Sequence, residues 1–412
     1  MPEKTDSDPN SRPFVRWMLI PAPLAVVAIA LLVYMMAPYL PRLIYEGYPA
    51  QHWPASGSYA TVRGTAEPKP HWIAASKALN ARAQDLFEQN GGTALLVWQG
   101  GLLQAEHYAP GFDTKTQFNS FSMVKSLVGA LVLRAHAEGR IAELSDPIGN
   151  YLPNIGNARF RSVPVEQFLT MRSGVVFDRN GSKALSSNEP KHVDSRSLNP
   201  FGPNARLHMQ GLDALATSLR TDASRAGQYD YQNVNTAVLG RLLSAIYDRP
   251  LEDILADQIW RPSGAANAHW RLAGEGKPVS AYCCLFATAR DWIRVAIFLS
   301  HNGKPNEPFL PPDLWQQYFG HAVTQAQRRL GHYGTQIFHN VLDRQGEPLQ
   351  GPFTYMLGRG GQTTYMMPQH DLVVVRFGER IPLLHSTLYA AWDSVSTGMS
   401  QSSSQRSASS SE

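Results

Sequence analysis

The 412-residue sequence predicts an α+β domain of two lobes, an antiparallel sheet flanked by helices joined to a mostly helical lobe. Three observations carry this prediction. Strand-type apolar runs lie towards both ends of the chain, residues 122 to about 300 read as helices with long Asn/Ser/Pro/Gly loops, and a helical pattern closes the folded region. A sheet drawn from both ends around a helical insertion puts a site at the lobe junction.

The first element is apolar. No charged side chain occurs from Trp17 to Pro41, a stretch long enough to cross the ~30 Å hydrocarbon layer of a bilayer as one helix. A cleaved signal peptide would have a shorter apolar region followed by a small-x-small cleavage site, so an uncleaved single-pass anchor is expected. Lys4, Arg12 and Arg16 precede the segment and only Arg42 follows closely, which predicts a cytoplasmic tail over 1–16, an anchor over 17–41 and a catalytic mass outside the inner membrane, in the periplasm of a Gram-negative cell.

Residues 42–70, rich in Pro, Gly, Tyr and Ser without periodicity, read as a stalk, and the folded domain is expected over 71–396. HWIAASKALNARAQDLFEQ reads as a helix stopped by Asn90-Gly91-Gly92, followed by a hairpin of TALLVWQ and GLLQAEHY about Gly100. SMVKSLVGALVLRAHAEG, apolar nearly all round before a Gly stop, predicts a buried central helix with Ser122 at its N-terminal end. Late in the chain TTYMMPQ and LVVVRFG flank a Pro-Gln-His-Asp turn, and LLHSTLYAAWDSV reads as the closing helix. The Ser-rich residues 397–412 cannot bury enough apolar surface to offset ordering entropy and are expected to form a disordered tail.

Composition narrows the function. A formal charge of +4, with no dense basic run interleaved with aromatics, argues against nucleic-acid binding despite a pI near 9.0. The only cysteines, Cys283 and Cys284, are adjacent, so they cannot staple distant parts of the fold, and they read as small buried residues. No His/Cys spacing suits zinc, no metal or organic cofactor is implied, and composition carries no signal of an oligomeric state.

The chemistry-bearing feature is Ser-x-x-Lys. A serine hydroxyl is a weak nucleophile that needs a base, and positions i and i+3 share a helix face, so Ser122 and Lys125 can meet. Burial would lower the pKa of Lys125 and leave an amine able to accept the serine proton, while the helix N-terminus favours an alkoxide. Alone, so short a spacing is common by chance.

Its surroundings resemble the serine beta-lactamase and penicillin-binding-protein superfamily, in the class C and esterase-like branch. FNSFSMVKSLVGALV is similar to the nucleophile segment, GRIAELSDPIGNYLPNI and VPVEQFLTMRSGVVFD to the stretches after it, and AGQYDYQNVNTAVLGRLL to the Tyr-x-Asn element, carried by Tyr231 and Asn233. The resemblance implies a beta-lactamase/transpeptidase-like fold, proton transfer by Tyr231, and an Asn233 that binds substrate or Lys125; a turn tyrosine and a capping asparagine would look the same. AYCCLFATARDWIRVAIFLSHNGK is similar to the family helix beside the cleft, where Tyr282 either touches substrate or packs as a half-buried ring. His332 and Tyr333 precede a Gly-Thr-Gln strand and are weaker candidates.

The third family element, Lys-Thr-Gly, is absent. YMLGRGGQTTYMMP instead resembles the Gly-x-Gly-Gly-Gln of proteins similar to 6-aminohexanoate-dimer hydrolases, with Met356 where a cation would stand. Gly358, Gly360 and Gly361 let substrate approach the backbone, where the amide of Arg359, or of Gln362 in the competing register, would join that of Ser122 in an oxyanion hole; a bulge or tight turn is the alternative reading of the glycines. The implied function is a membrane-anchored serine hydrolase acting on a small-molecule or peptide-like amide or ester through an acyl-enzyme. The alternatives are a DD-peptidase or beta-lactamase, and a non-catalytic anchored binding protein of the same fold.

Overall fold

In a computed structural model of the protein, the described residues are 22–47, 49–65, 78–177, 199–342, 351–380 and 385–394. The expected tails, 1–16 and 397–412, the start of the anchor, and 178–198 within one of the expected Asn/Ser/Pro/Gly loops lie outside them.

Two helices lead the described chain. α1 (Ala22–Met36) exposes its apolar side chains, among them Leu32, Met35 and Met36, and α2 (Leu40–Glu46) turns away from it by 88°. No single described helix is long and apolar enough to cross a membrane; the bent pair satisfies length and composition only together.

The expected stalk is instead part of the folded body. Glu46 is buried in ion pairs with Arg42 and Arg271, Trp53 stacks on His269 at 4.1 Å, and β1 (Tyr59–Val62) pairs antiparallel with β5 (Ala268–Arg271). These contacts are long-range, and nothing in the local periodicity of residues 42–65 signals them. The folded body therefore begins well before residue 71.

Of the helix expected from residue 71, 71–77 lie outside the described residues; α3 (Ala81–Gln89) is capped by Asn80, which accepts from Ala83 N at 2.8 Å. The expected hairpin follows as β2 (Gly92–Gln99) and β3 (Leu102–Tyr108), turning through Gly100 and Gly101, both at positive φ. β4 (Gln117–Asn119) leads through a single 3₁₀ turn into α4 (Val124–Ala137). The helical lobe adds α5 (Pro203–Gln210) and α6 (Asn233–Tyr247), the latter packed on α4. Next come β5, β6 (Leu285–Thr288) and α7 (Ala289–Ser300), then β7 (His332–Gly334), β8 (Ile337–Leu342), β9 (Gly351–Gly358), β10 (Gln362–Met367) and β11 (Leu372–Gly378), and a closing helix, α8, over 385–394.

The main sheet has seven antiparallel strands in the order β3-β2-β11-β10-β9-β8-β7, so strands from both chain ends meet where β2 pairs with β11. Both faces are covered, which is why Leu372-Val-Val-Val reads as a continuous apolar run. Val373 and Val375 join the core that contains α4 and α7, while Leu372 and Val374 pack with Phe87 and Leu388 of α3 and α8. A second sheet, β1-β5-β6-β4, was not expected from the sequence, since its strands have at most four residues, too few for periodicity to register.

Candidate active site

Ser122 sits on a turn tied down from several sides. Asn119 accepts from Phe121 N at 2.8 Å and donates to Ala50 O at 2.7 Å; Ser120 N donates to Leu285 O at 2.9 Å, and its hydroxyl accepts from Leu285 N at 3.1 Å. These bonds hold Phe121 at φ 43°, a left-handed conformation costly for a bulky residue. The chain then enters the 3₁₀ turn Phe121–Met123 and α4, leaving Ser122 half-buried at the helix N-terminal end.

One turn on, Lys125 Nζ donates to Ser122 Oγ at 2.7 Å and to the main-chain carbonyl of Tyr282 at 2.9 Å. Lys125 is 1% exposed, and burial drives its amine well below the ordinary lysine value. Nζ also lies 5.0 Å from the ring centroid of Tyr231 and 5.8 Å from that of Tyr282. The Tyr231 phenol is pushed up to about 12 by burial, against a hydrogen bond with Ser122 that works the other way. At neutral pH the phenol keeps its proton while the amine is biased towards its free-base form. Ser122 and Lys125, one helical turn apart, and Tyr231, about a hundred residues further along the chain, therefore form one cluster.

The glycine-rich segment runs beside it. A Cβ on Gly358, the last residue of β9, would stand 2.2 Å from Ser120 O, so only glycine lets this strand touch the nucleophile turn. Arg359–Gly361 form a single turn with Gly360 and Gly361 at φ 78° and 81°. The Gln362 side chain is structural: Nε2 donates to Gly378 O at 2.6 Å and Arg359 O at 3.0 Å, and Oε1 accepts from Gly378 N at 3.1 Å. Met356 is fully buried in the core, with no exposed surface to offer a ligand.

Other candidates fall into place unevenly. Asn233 does not take Lys125 in the manner the family pattern implies. Its amide reaches Asn204 Oδ1 at 3.4 Å, and the lysine's second acceptor is the Tyr282 carbonyl, a backbone role that no side-chain motif announces. The Tyr282 side chain is buried, its hydroxyl 3.5 Å from His208 Nδ1 on α5. Tyr333 packs edge-on to Tyr231 at 5.7 Å, and Phe338 stacks near the same ring at 6.4 Å, building an aromatic wall. His332 is half-buried, its ring 5.8 Å from that of His339. Cys283 and Cys284 are not free residues: they are bonded to each other in a vicinal disulfide, a pairing that requires no reach across the fold.

Sequence reasoning missed the segment before β1. Gln51 O accepts from Asn119 N at 2.8 Å, and Gln51 Oε1 accepts from Gln362 Nε2 at 3.3 Å, so this segment braces both the nucleophile turn and the glycine loop.

A family model described as Beta-lactamase matches residues 79–382, about three-quarters of the chain. The chain belongs to the beta-lactamase family. Members of this superfamily are serine hydrolases that act on amide or ester bonds. The 6-aminohexanoate-dimer hydrolase of Paenarthrobacter ureafaciens is 27% identical over 234 residues, covering 55% of this chain and 57% of the relative. The chain spans about half the length of the curated relatives it matches. Among solved structures, a Bacillus anthracis protein named "Putative 6-aminohexanoate-dimer hydrolase" superposes with TM-score 0.67 at 22% identity, covering 84% of this chain and 92% of that one. A class C beta-lactamase from Rhodobacter sphaeroides gives TM-score 0.52 at 14% identity, covering 77% and 98%. At these identities the structural likeness establishes the beta-lactamase/transpeptidase-like fold.

Proposed function

We propose that the chain is a serine hydrolase that forms an acyl-enzyme on Ser122 from a neutral amide or ester and then hydrolyses it. The observation that carries this reading is the 2.7 Å contact between Ser122 Oγ and the buried Lys125 Nζ. As Oγ adds to the substrate carbonyl carbon, the free amine of Lys125 takes its proton; the amides of Ser122 and Arg359 are the intended donors to the oxyanion. Tyr231, a phenol at neutral pH, passes a proton to the leaving nitrogen or oxygen. Water then adds to the ester with the same groups acting in reverse, releasing acid and free Ser122. Asn233, at the first turn of α6, and Tyr282 are the residues that the resemblance assigns to substrate binding.

Two features favour a neutral substrate. In sequence, Met356 takes the place of the cation of the family's Lys-Thr-Gly element, and rings of Tyr333 and Phe338 flank Tyr231. An uncharged linear amide or ester is the first substrate to try, with the charged linear amide named for the Paenarthrobacter relative as the comparison that tests the preference. The test is labelling of the full chain with a fluorophosphonate, with the adduct located by mass spectrometry and Ser122→Ala as control. A stoichiometric Ser122 adduct absent from the variant is expected; no adduct on folded protein promotes the non-catalytic binding reading. Durable acylation by a labelled penicillin would instead favour a DD-peptidase or beta-lactamase.

The exposed apolar surface of α1 supports a single-pass inner-membrane anchor with the hydrolase body outside the cytoplasm. Its 15 described residues span only about 22 Å at ~1.5 Å per residue, so the anchor needs the preceding apolar residues from Trp17 as well. Retention of the full chain in membranes after alkaline carbonate washing, with protease access to the body from the periplasmic side, is the expected result.

A further inference from the structure

We propose that the Cys283–Cys284 disulfide is a positioning element of the hydrolytic site, holding the Tyr282 carbonyl against Lys125. The inference rests on the Ser122 reading above and adds to it a covalent device that the acyl-transfer chemistry does not itself use.

A disulfide between neighbours closes only a small ring, so it removes little entropy from the unfolded chain and crosslinks no distant elements. What it constrains is local: an eight-membered ring that contains the Cys283–Cys284 peptide, with the Tyr282 carbonyl attached just outside it through Cys283 N. That carbonyl, Tyr282 O, is the second acceptor of Lys125 Nζ, at 2.9 Å. The constrained turn is also stitched to the nucleophile: Cys284 N donates to Phe121 O at 3.3 Å, and the next residue, Leu285, exchanges hydrogen bonds with Ser120. From the far side, Trp270 Nε1 donates to Cys283 O at 3.1 Å, and Arg271 N to Cys284 O at 3.1 Å. Cys284 itself sits at φ 70°, a left-handed conformation that a non-glycine residue holds only when its surroundings impose it.

Opening the bridge removes the covalent constraint on this turn while leaving Ser122, Lys125 and Tyr231 intact. Cys284 is fully buried, but Cys283 is half-buried, giving a reductant a sulfur to attack. A dithiol supplies two electrons and two protons: the S–S bond breaks, two S–H bonds form, and the dithiol leaves as its cyclic disulfide. With the Tyr282 carbonyl free to move, Lys125 loses its fixed orientation towards Ser122 and gains contact with water.

The test compares three forms of the full chain in detergent: as purified under air, reduced with dithiothreitol, and the double variant Cys283→Ser/Cys284→Ser. Thiol counting by mass spectrometry fixes the bridge state, circular dichroism the fold, and fluorophosphonate labelling from pH 5 to 9 the reactivity of Ser122. The bridged form should label at least tenfold faster at pH 7 than either open form. The midpoint of its rate profile should lie at lower pH, since solvent raises the pKa of a buried amine, and reoxidation of the reduced protein should restore both. Two free thiols in the air-purified protein, equal profiles in all forms, or a rate loss with an unmoved midpoint would each overturn the positioning role. No Ser122 adduct even on bridged protein would overturn the hydrolase reading and the positioning role with it; a labelled Ser122 indifferent to the bridge overturns only the latter.

Discussion

Replacing Lys125 by methionine separates what this residue does for chemistry from what it costs the fold. Methionine nearly fills the lysine's volume, and the site it enters is 1% exposed and lined by the rings of Tyr231 and Tyr282. Removing the base should slow labelling of Ser122 by about 10²–10⁴-fold, the usual range for a general base. Stability should move the other way. Burial holds the native amine well below its ordinary value, so between that depressed value and the ordinary lysine pKa the unfolded chain binds one more proton than the native one. In that window the wild type gains about 1.4 kcal/mol for each pH unit relative to Lys125→Met, and the variant is the more stable protein at neutral pH. Urea unfolding of both proteins at pH 7 and pH 9, in the same detergent, measures this directly. A stability difference that does not change between the two pH values would show that Lys125 is an ammonium in the native state, and the assignment of Lys125 as the base would fall.

Three further outcomes follow from the geometry. Gly358→Ala should cut Ser122 labelling at least tenfold while the far-UV spectrum stays native, because its Cβ would stand 2.2 Å from the Ser120 carbonyl and the backbone there must move. Tyr231→Phe keeps the ring against Tyr333 and removes the hydroxyl, so labelling or turnover should fall by about 10²-fold or more with a urea midpoint near that of the wild type; equal turnover would remove Tyr231 from the proton path. A chain starting at residue 71 should be recovered unfolded or aggregated. It lacks β1, the Trp53 ring on His269 and the Glu46–Arg271 pair, and the aromatic contact alone is worth about 0.5–1.5 kcal/mol beyond the area it buries; a chain starting at residue 38 retains all three and should fold.

The legible part of this protein was the part written in local pattern. Apolar runs of seven or eight residues at 92–99 and 372–378, a glycine-bounded helix at 124–137, and Ser122, Lys125 and Tyr231 in familiar surroundings were enough for the sheet, the central helix and the candidate cluster. Each signal repeats over several residues or depends on a fixed helical offset, and such information survives in one dimension.

Tertiary structure alone decided the rest. Residues 42–65 look like a linker because they lack periodicity, yet they are held by an ion pair, an aromatic stack and a four-residue strand whose partners lie some 200 residues away. The second acceptor of Lys125 is a backbone carbonyl, and every residue has one, so composition could not single out Tyr282. Asn233 stands in its expected sequence position but bonds Asn204, because α5 approaches from the helical lobe. The cysteines were read as unpaired because a bond between neighbours serves no distant crosslink; its meaning emerges only when the turn it closes is seen against the nucleophile. Local order follows from short-range sterics and hydrophobic period, whereas the surroundings of a reactive group depend on which distant segments the packed core brings to it.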